Sequence, residues 1–150
     1  MDINKVTILK FIYRGTQYRI HCKFINYFLE KVPVFESDNV DKICIIQLKT
    51  GDIMIVGNKK FIDSLTDTQY QIYIWHNLLE IYFNRCKTET IKDICVAYWF
   101  GFTEVINILK EMNDTNDRIK QLEKIMMSDT SIKIPSMDEV INSVKYVNVI

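Results

Sequence analysis

Glycine, proline and histidine are scarce in this sequence, which has four glycines, two prolines and two histidines among 150 residues. The glycines stand far apart, which excludes the glycine-rich loop that cradles the phosphates of a nucleotide. The two histidines show no His-x-x-x-His spacing and have no acidic residue placed to complete a metal site. These absences predict a chain without catalytic residues, metal or cofactor, and therefore one that is not an enzyme.

Cysteine pairs of the C-x-x-C kind are also missing, because Cys22, Cys44, Cys86 and Cys95 are scattered. Scattered cysteines are typical of a reducing compartment, where they act as small apolar residues. No run approaches the ~18 apolar residues of a membrane span, and the N-terminus lacks the features of a secretory signal. The abundance of isoleucine, lysine and asparagine suggests an AT-rich genome, such as that of a virus or a protist. We therefore predict an intracellular, cytoplasmic protein (in the host cytoplasm if viral) without a membrane partner.

Neither sign of charge predominates, since 19 basic residues balance 19 acidic residues. Nucleic-acid binding draws most of its affinity from Lys and Arg that neutralise phosphates, so a net charge of zero argues against a nucleic-acid partner. Zero net charge also weakens the repulsion between copies, which makes self-association easier. Hydrophobic residues make up 48% of the chain, which predicts a packed core in a chain of single-domain size.

Strands are predicted mainly in the first third of the chain. Residues 6–13 are β-branched and aromatic, Gly15 allows a tight turn, and residues 17–22 alternate apolar with polar side chains, which together predict a β-hairpin. Apolar residues then recur at helical spacing up to Pro33, which predicts a helix that ends there. A loop is predicted at 36–41, and two further strands at 43–48 and 53–56.

Helices are predicted through the remainder of the chain, where apolar residues recur every three or four positions. Gly101 is expected to close one helix and Thr103 to cap the next. Ser136 and Glu139 have the spacing of a capping box before the last helix. Strands followed by helices predict an α+β fold, with an N-terminal β-hairpin and small sheet and then a cluster of α-helices.

Several short motifs, in the order of these elements, resemble the BTB/POZ domain. Residues 18–21 (Tyr-Arg-Ile-His) are similar to the aromatic-x-aliphatic-His element by which BTB domains lead from a strand into a helix. Residues 33–35 (Pro-Val-Phe) resemble the end of that helix, and residues 91–105 look like the helix pair that follows later in BTB domains. The resemblance implies a BTB/POZ-like domain at 5–112 and a C-terminal helical extension at 113–150.

The resemblance implies a protein–protein interaction module. BTB domains commonly form homodimers through the first strand and the first helix, and some recruit cullin-3 as adaptors for ubiquitin ligases. The partners implied for this chain are a second copy, other BTB proteins and cullin-3, and its role is that of an adaptor for, or competitor of, cullin-type ligase assembly. Mapped onto this chain, the dimer surface would include Ile8, Phe11, Phe24, Ile25 and Phe28.

Catalytic chemistry finds little support in the sequence. His21 stands next to Cys22, but neighbouring strand residues point to opposite faces of a sheet and cannot form a dyad. We interpret His21 as a structural residue that donates to the backbone where strand gives way to helix. His76 could face the core or the solvent, and acidic residues such as Asp93 are dispersed, with nothing that selects a pair of them. Two alternatives stay open: a small enzyme with an unrecognised site, and a viral host-defence antagonist that acts by protein binding.

Overall fold

The computed structural model describes two compact units, Met1–Asp67 together with Val144–Ile150, and Thr68–Ser143. The fold is α+β, as predicted, because a small sheet in the first unit is followed by a cluster of helices. The division at 5–112 and 113–150 stays a prediction. The described residues are 10–13 and 16–20 (backbone alone), 34–47, 51–83, 89–128 and 131–145.

Within the described residues, the sheet of the first unit comprises five strands in the order β1-β2-β3-β5-β4. β1 and β2 form the predicted antiparallel hairpin, in which Tyr13 lies opposite Thr16. β3 is antiparallel to β2 and parallel to β5, while β4 is antiparallel to β5. The strands are β1 (Lys10–Tyr13), β2 (Thr16–Ile20), β3 (Val34–Glu36), β4 (Ile43–Gln47) and β5 (Ile53–Gly57).

The core of the first unit centres on β5, in which all four residues from Ile53 to Val56 are buried. Consecutive apolar residues are typical of a strand that is covered on both faces. Helix α1 (Lys59–Asp63) follows directly, because the Asn58 side chain accepts a hydrogen bond from a backbone N–H of the first turn. Gly57 permits the close approach of this helix, since a Cβ there would lie 2.5 Å from Cδ1 of Ile62.

β3 corrects the predicted loop at 36–41, because Glu36 still belongs to a strand that the sequence pattern did not reveal. Three residues are too few to show a period of two. What stabilises β3 is pairing on both sides, with Glu36 opposite Arg19 of β2 and Val34 opposite Ile55 of β5.

The second unit is helical and is organised around its second helix. That helix, α3, is buried over six consecutive residues, Lys92 to Ala97, and packs against α4 and α5. Helix α2 contributes Trp75, which is fully buried and packs edge to face on Trp99 of α3, with ring centroids 5.4 Å apart. The helices are α2 (Asp67–Tyr82), α3 (Glu89–Phe100), α4 (Phe102–Lys110), α5 (Asn116–Met126) and α6 (Met137–Asn142).

Helix ends follow the predictions at two of three positions. Gly101 closes α3 with a φ of 111°, and its N–H donates to the carbonyl of Ala97. The prediction that Thr103 caps α4 is wrong, because α4 already begins at Phe102 and Gly101 is its N-cap. At α6 the Ser136 side chain accepts from the N–H of Glu139, as the capping-box spacing predicted.

Candidate functional site

The described residues hold little of the predicted dimer surface. Phe11 lies in β1 opposite Tyr18 of β2, and only its backbone is described. The other four residues of that surface, and the structural His21, fall outside the described residues: Ile8, His21, Phe24, Ile25 and Phe28. The predicted surface therefore stays a prediction.

β4 is the end strand of the sheet, and its backbone shows which groups face away from β5. The N–H of Asn58 donates to the carbonyl of Lys42 over 2.8 Å, and this pair continues the register in which Cys44 lies opposite Val56. Opposed residues of an antiparallel pair alternate between hydrogen-bonded and non-bonded pairs. Counting along β4 from Lys42, the residues whose N–H and C=O point away from β5 are Ile43, Ile45 and Gln47.

The other side of β5 supports this assignment independently. The carbonyl of Gly57 accepts from the N–H of Ser37, and the N–H of Ile53 donates to the carbonyl of Lys145. Ser37 follows β3, which lies on the side of β5 opposite β4, and neither bond is made to β4. The C=O of Gly57 and the N–H of Ile53 are therefore not bonded to the residues opposite them in β4, which are Ile43 and Gln47. The alternation of bonded and non-bonded pairs requires this result.

The outward edge of β4 is open within the part of the chain that the structure describes. No described strand other than β5 pairs with β4. No backbone hydrogen bond outside that ladder joins Ile43, Ile45 or Gln47 to another described residue. A row of N–H and C=O groups therefore remains available to another chain.

The side chains of β4 leave this edge without the usual protection against pairing. Natural edge strands carry charged residues, prolines or bulges that discourage another strand from adding. β4 reads Ile-Cys-Ile-Ile-Gln, with no charge and no proline, and its four apolar residues are half-buried while Gln47 is exposed. We call the outward side of β4 the open edge; it is the candidate surface for adding a strand from another chain.

A second feature is a group of charged side chains in the helical unit, which we call the charge cluster: His76, Glu89, Lys92, Asp93 and Arg118. Asp93 is 1% exposed, and Arg118 donates to both of its oxygens, from Nε to Oδ2 and from Nη2 to Oδ1, each over 2.8 Å. This two-bond geometry is the strongest form of an arginine–carboxylate pair. It joins α3 to α5 across residues far apart in the sequence.

His76 joins α2 to the same carboxylate. Its Nε2 lies 3.0 Å from Oδ1 of Asp93, so Nε2 carries a hydrogen and donates it to the carboxylate. The Nζ of the buried Lys92 donates to Oε1 of the half-exposed Glu89 over 2.7 Å. The charge cluster thus connects three helices through one buried carboxylate.

The pKa values follow from these contacts. Burial alone would raise the pKa of the Asp93 carboxyl, but the hydrogen bonds from Arg118 and His76 outweigh burial and hold that pKa below its ordinary value. The hydrogen bond to Asp93 in turn raises the pKa of the Arg118 guanidinium. Both partners of the ion pair between the buried Asp93 and the partly exposed Arg118 are therefore charged at neutral pH.

Chemically, the charge cluster is better suited to holding helices together than to catalysis. A carboxylate beside a histidine could orient it as a general base. Here both oxygens of Asp93 already accept hydrogen bonds from Arg118, so the carboxylate is held mainly by the arginine and not dedicated to orienting His76. Within the described residues, no group of three or more His, Cys, Asp or Glu side chains is arranged so that it could hold a metal ion.

Acid is expected to remove the contribution of Asp93 to stability. Because the pKa of Asp93 is lowered in the folded state, its stabilisation is complete above the unfolded-state value of about 4. As the pH falls from there through the lowered folded-state pKa, the unfolded state takes up the proton first and the stabilisation is lost. The free energy of unfolding of wild type and Asp93→Asn, measured by urea denaturation from neutral pH to below pH ~4, should converge in acid. A constant difference would contradict this account.

The two cysteines within the described residues are free. Burial raises the pKa of the Cys95 thiol to about 11, so this residue stays protonated and packs as a small apolar side chain. None of the described helices combines the length and the apolar character needed to cross a bilayer.

Comparison with known proteins finds no relative: no family model, no curated protein and no solved structure matches the chain. The BTB/POZ resemblance therefore stays a prediction from the sequence motifs. Sequence reasoning missed the open edge, although the strand itself was predicted, and it missed the pairing of Asp93 with Arg118.

Proposed function

We propose that this chain is a protein-interaction module that self-associates and binds other protein chains. The observation that supports the proposal is the open edge of β4, where the backbone groups of Ile43, Ile45 and Gln47 point outward from an apolar strand. Strand addition at such an edge draws affinity from backbone hydrogen bonds and specificity from the flanking side chains. A net charge of zero also favours self-association, because two copies do not repel each other.

The finer form of the proposal is a BTB/POZ-type protein, a cytoplasmic adaptor for, or competitor of, cullin-type ligase assembly. Its support is the set of sequence motifs at 18–21, 33–35 and 91–105, together with the α+β order of elements. Affinity capture with the whole chain as bait tests it. Recovery of cullin-3 or of a BTB protein is the expected result, and recovery of neither would remove this finer form.

Two proline substitutions at neighbouring positions separate binding from folding. Ile45→Pro removes an outward N–H, a place where edge strands tolerate proline, so the sheet should stay folded while strand addition is blocked. Ile46→Pro instead removes an N–H that faces β5, which should lower the free energy of unfolding by about 1–3 kcal/mol. Urea denaturation measures the second effect, and sedimentation velocity measures the self-association of both variants.

The comparison between the two variants is the control, since both place the same residue in the same strand. The proposal expects Ile45→Pro to be a folded monomer. An Ile45→Pro protein that sediments with the same mass as wild type would show that the open edge does not carry the self-association.

A further inference from the structure

The open edge has backbone groups whose spacing suits pairing with its own copy. In an antiparallel pair, two opposed residues exchange hydrogen bonds only if the N–H and C=O groups of both point toward the neighbouring strand. The backbone groups of Ile43, Ile45 and Gln47 all point outward from the sheet, and Ile45 lies midway between the other two residues. A two-fold axis at Ile45 therefore makes every outward group of one strand meet an outward group of the other.

We propose that a second copy of this chain occupies the open edge, with β4 pairing antiparallel to β4 of that copy about a two-fold axis at Ile45. Ile45 then lies opposite Ile45 of the second copy, and Ile43 opposite Gln47. This inference rests on the proposed self-association and assigns it a surface and a register. It joins the two sheets edge to edge.

The side chains of the strand fit this register. Ile45 meets its own copy on one face of the strand, and Cys44 meets Ile46 on the other, so the central contacts are apolar. No like charges oppose each other within the five paired positions, because Ile43–Gln47 carries no charge. All five residues of β4 are paired in this register, whereas any shift leaves some of them unpaired.

The symmetry also explains why a copy of the chain is favoured over an unrelated strand. A two-fold interface uses the same surface on both copies and closes after two, so it covers both open edges at once. An unprotected apolar edge that stayed open would promote uncontrolled aggregation. The half-buried apolar side chains of β4 become covered in the same step.

Cysteine cross-linking of the whole chain tests the register. In the proposed pair the two copies of residue 45 have Cα atoms about 5.5 Å apart, within the range of a disulfide. Ile45→Cys, made together with Cys44→Ser, should form a disulfide-linked dimer under mild oxidation, and peptide mass spectrometry should locate the link at position 45. The expected result is a doubling of mass on a non-reducing gel that reductant reverses.

Residue 43 supplies the matched control. Two copies of residue 43 lie four residues out of step, about 14 Å apart along the strand, so Ile43→Cys alone should not link to itself in the Cys44→Ser background. A mixture of Ile43→Cys and Gln47→Cys proteins should link, because these positions face each other across the axis.

The outcomes separate this inference from the proposed function. A dimer by light scattering with the link at position 45 supports both. A dimer without that link overturns the register and leaves self-association in place. A dimer that Phe24→Asp dissociates and Ile45→Pro does not also overturns the register, and it assigns self-association to the predicted first-helix surface. A monomer at all concentrations overturns both the register and the self-association.

Discussion

Arg118→Ala is expected to lower the free energy of unfolding by about 3–5 kcal/mol, the usual cost of leaving a buried charge without its partner. Asp93 is 1% exposed, and both of its carboxylate oxygens accept hydrogen bonds from the guanidinium of Arg118. Without Arg118 the carboxylate keeps His76 as a hydrogen-bond donor but loses the cation that compensates its burial. Urea denaturation followed by far-ultraviolet circular dichroism measures the loss.

Lys124→Ala is the matched control, because Lys124 is an exposed basic residue near the end of the same helix, α5. Its replacement should change stability by no more than about 0.5 kcal/mol. The double variant Asp93→Leu with Arg118→Met should recover most of the loss, since an apolar pair of similar size often replaces a buried ion pair without cost. If Arg118→Ala were as mild as Lys124→Ala, the charge cluster would not hold the helices together.

Trp75→Ala is expected to cost about 3–5 kcal/mol of unfolding free energy, because it removes the largest fully buried side chain and leaves a cavity. The indole of Trp75 also packs edge to face on Trp99, so the variant loses an aromatic contact between α2 and α3 as well. Chemical denaturation should show the loss as a lower midpoint in urea.

Tyr98→Ala supplies the comparison for this prediction. Tyr98 is 42% exposed, although its ring also makes an edge-to-face contact, with Phe102 at 5.3 Å. Its removal uncovers less apolar surface and leaves no enclosed cavity, so the cost should be clearly smaller. Equal losses for Trp75→Ala and Tyr98→Ala would mean that the helical unit is not packed around Trp75.

Periodic helices were the most predictable part of this fold. Apolar residues at helical spacing predicted α2, α3 and α5, since burial of one face is the main force that sets such helices. Gly101 was equally predictable, because a positive φ at a helix end favours glycine. Thr103 was not, because the same glycine lets α4 begin at Phe102 before the threonine is reached.

Features that depend on contacts between residues far apart in the sequence could not be predicted from it. β3 has three residues and is held by β2 on one side and β5 on the other, so its own side chains give no strand signal. Arg118 and Asp93 are 25 positions apart, and each resembles an ordinary surface charge when read singly. Only the packing of the helices brings them together.

The open edge, on which the proposed function depends, could not be predicted from the sequence for the same reason. The run 43–48 predicted a strand, since β-branched residues favour extended structure, and the structure has this strand at Ile43–Gln47. Which backbone groups face outward depends instead on the register with β5, fixed by the Cys44–Val56 pairing. If β4 were shifted by one residue along β5, the backbone groups of Ile43, Ile45 and Gln47 would point toward β5. Those of Cys44 and Ile46 would then point outward.

Self-association is tested best by the absolute mass of the wild-type chain in solution, measured by light scattering after size exclusion over a range of concentrations. We expect a mass that approaches twice 17.8 kDa as the concentration rises. A mass that stays at 17.8 kDa at every concentration would contradict self-association through the open edge.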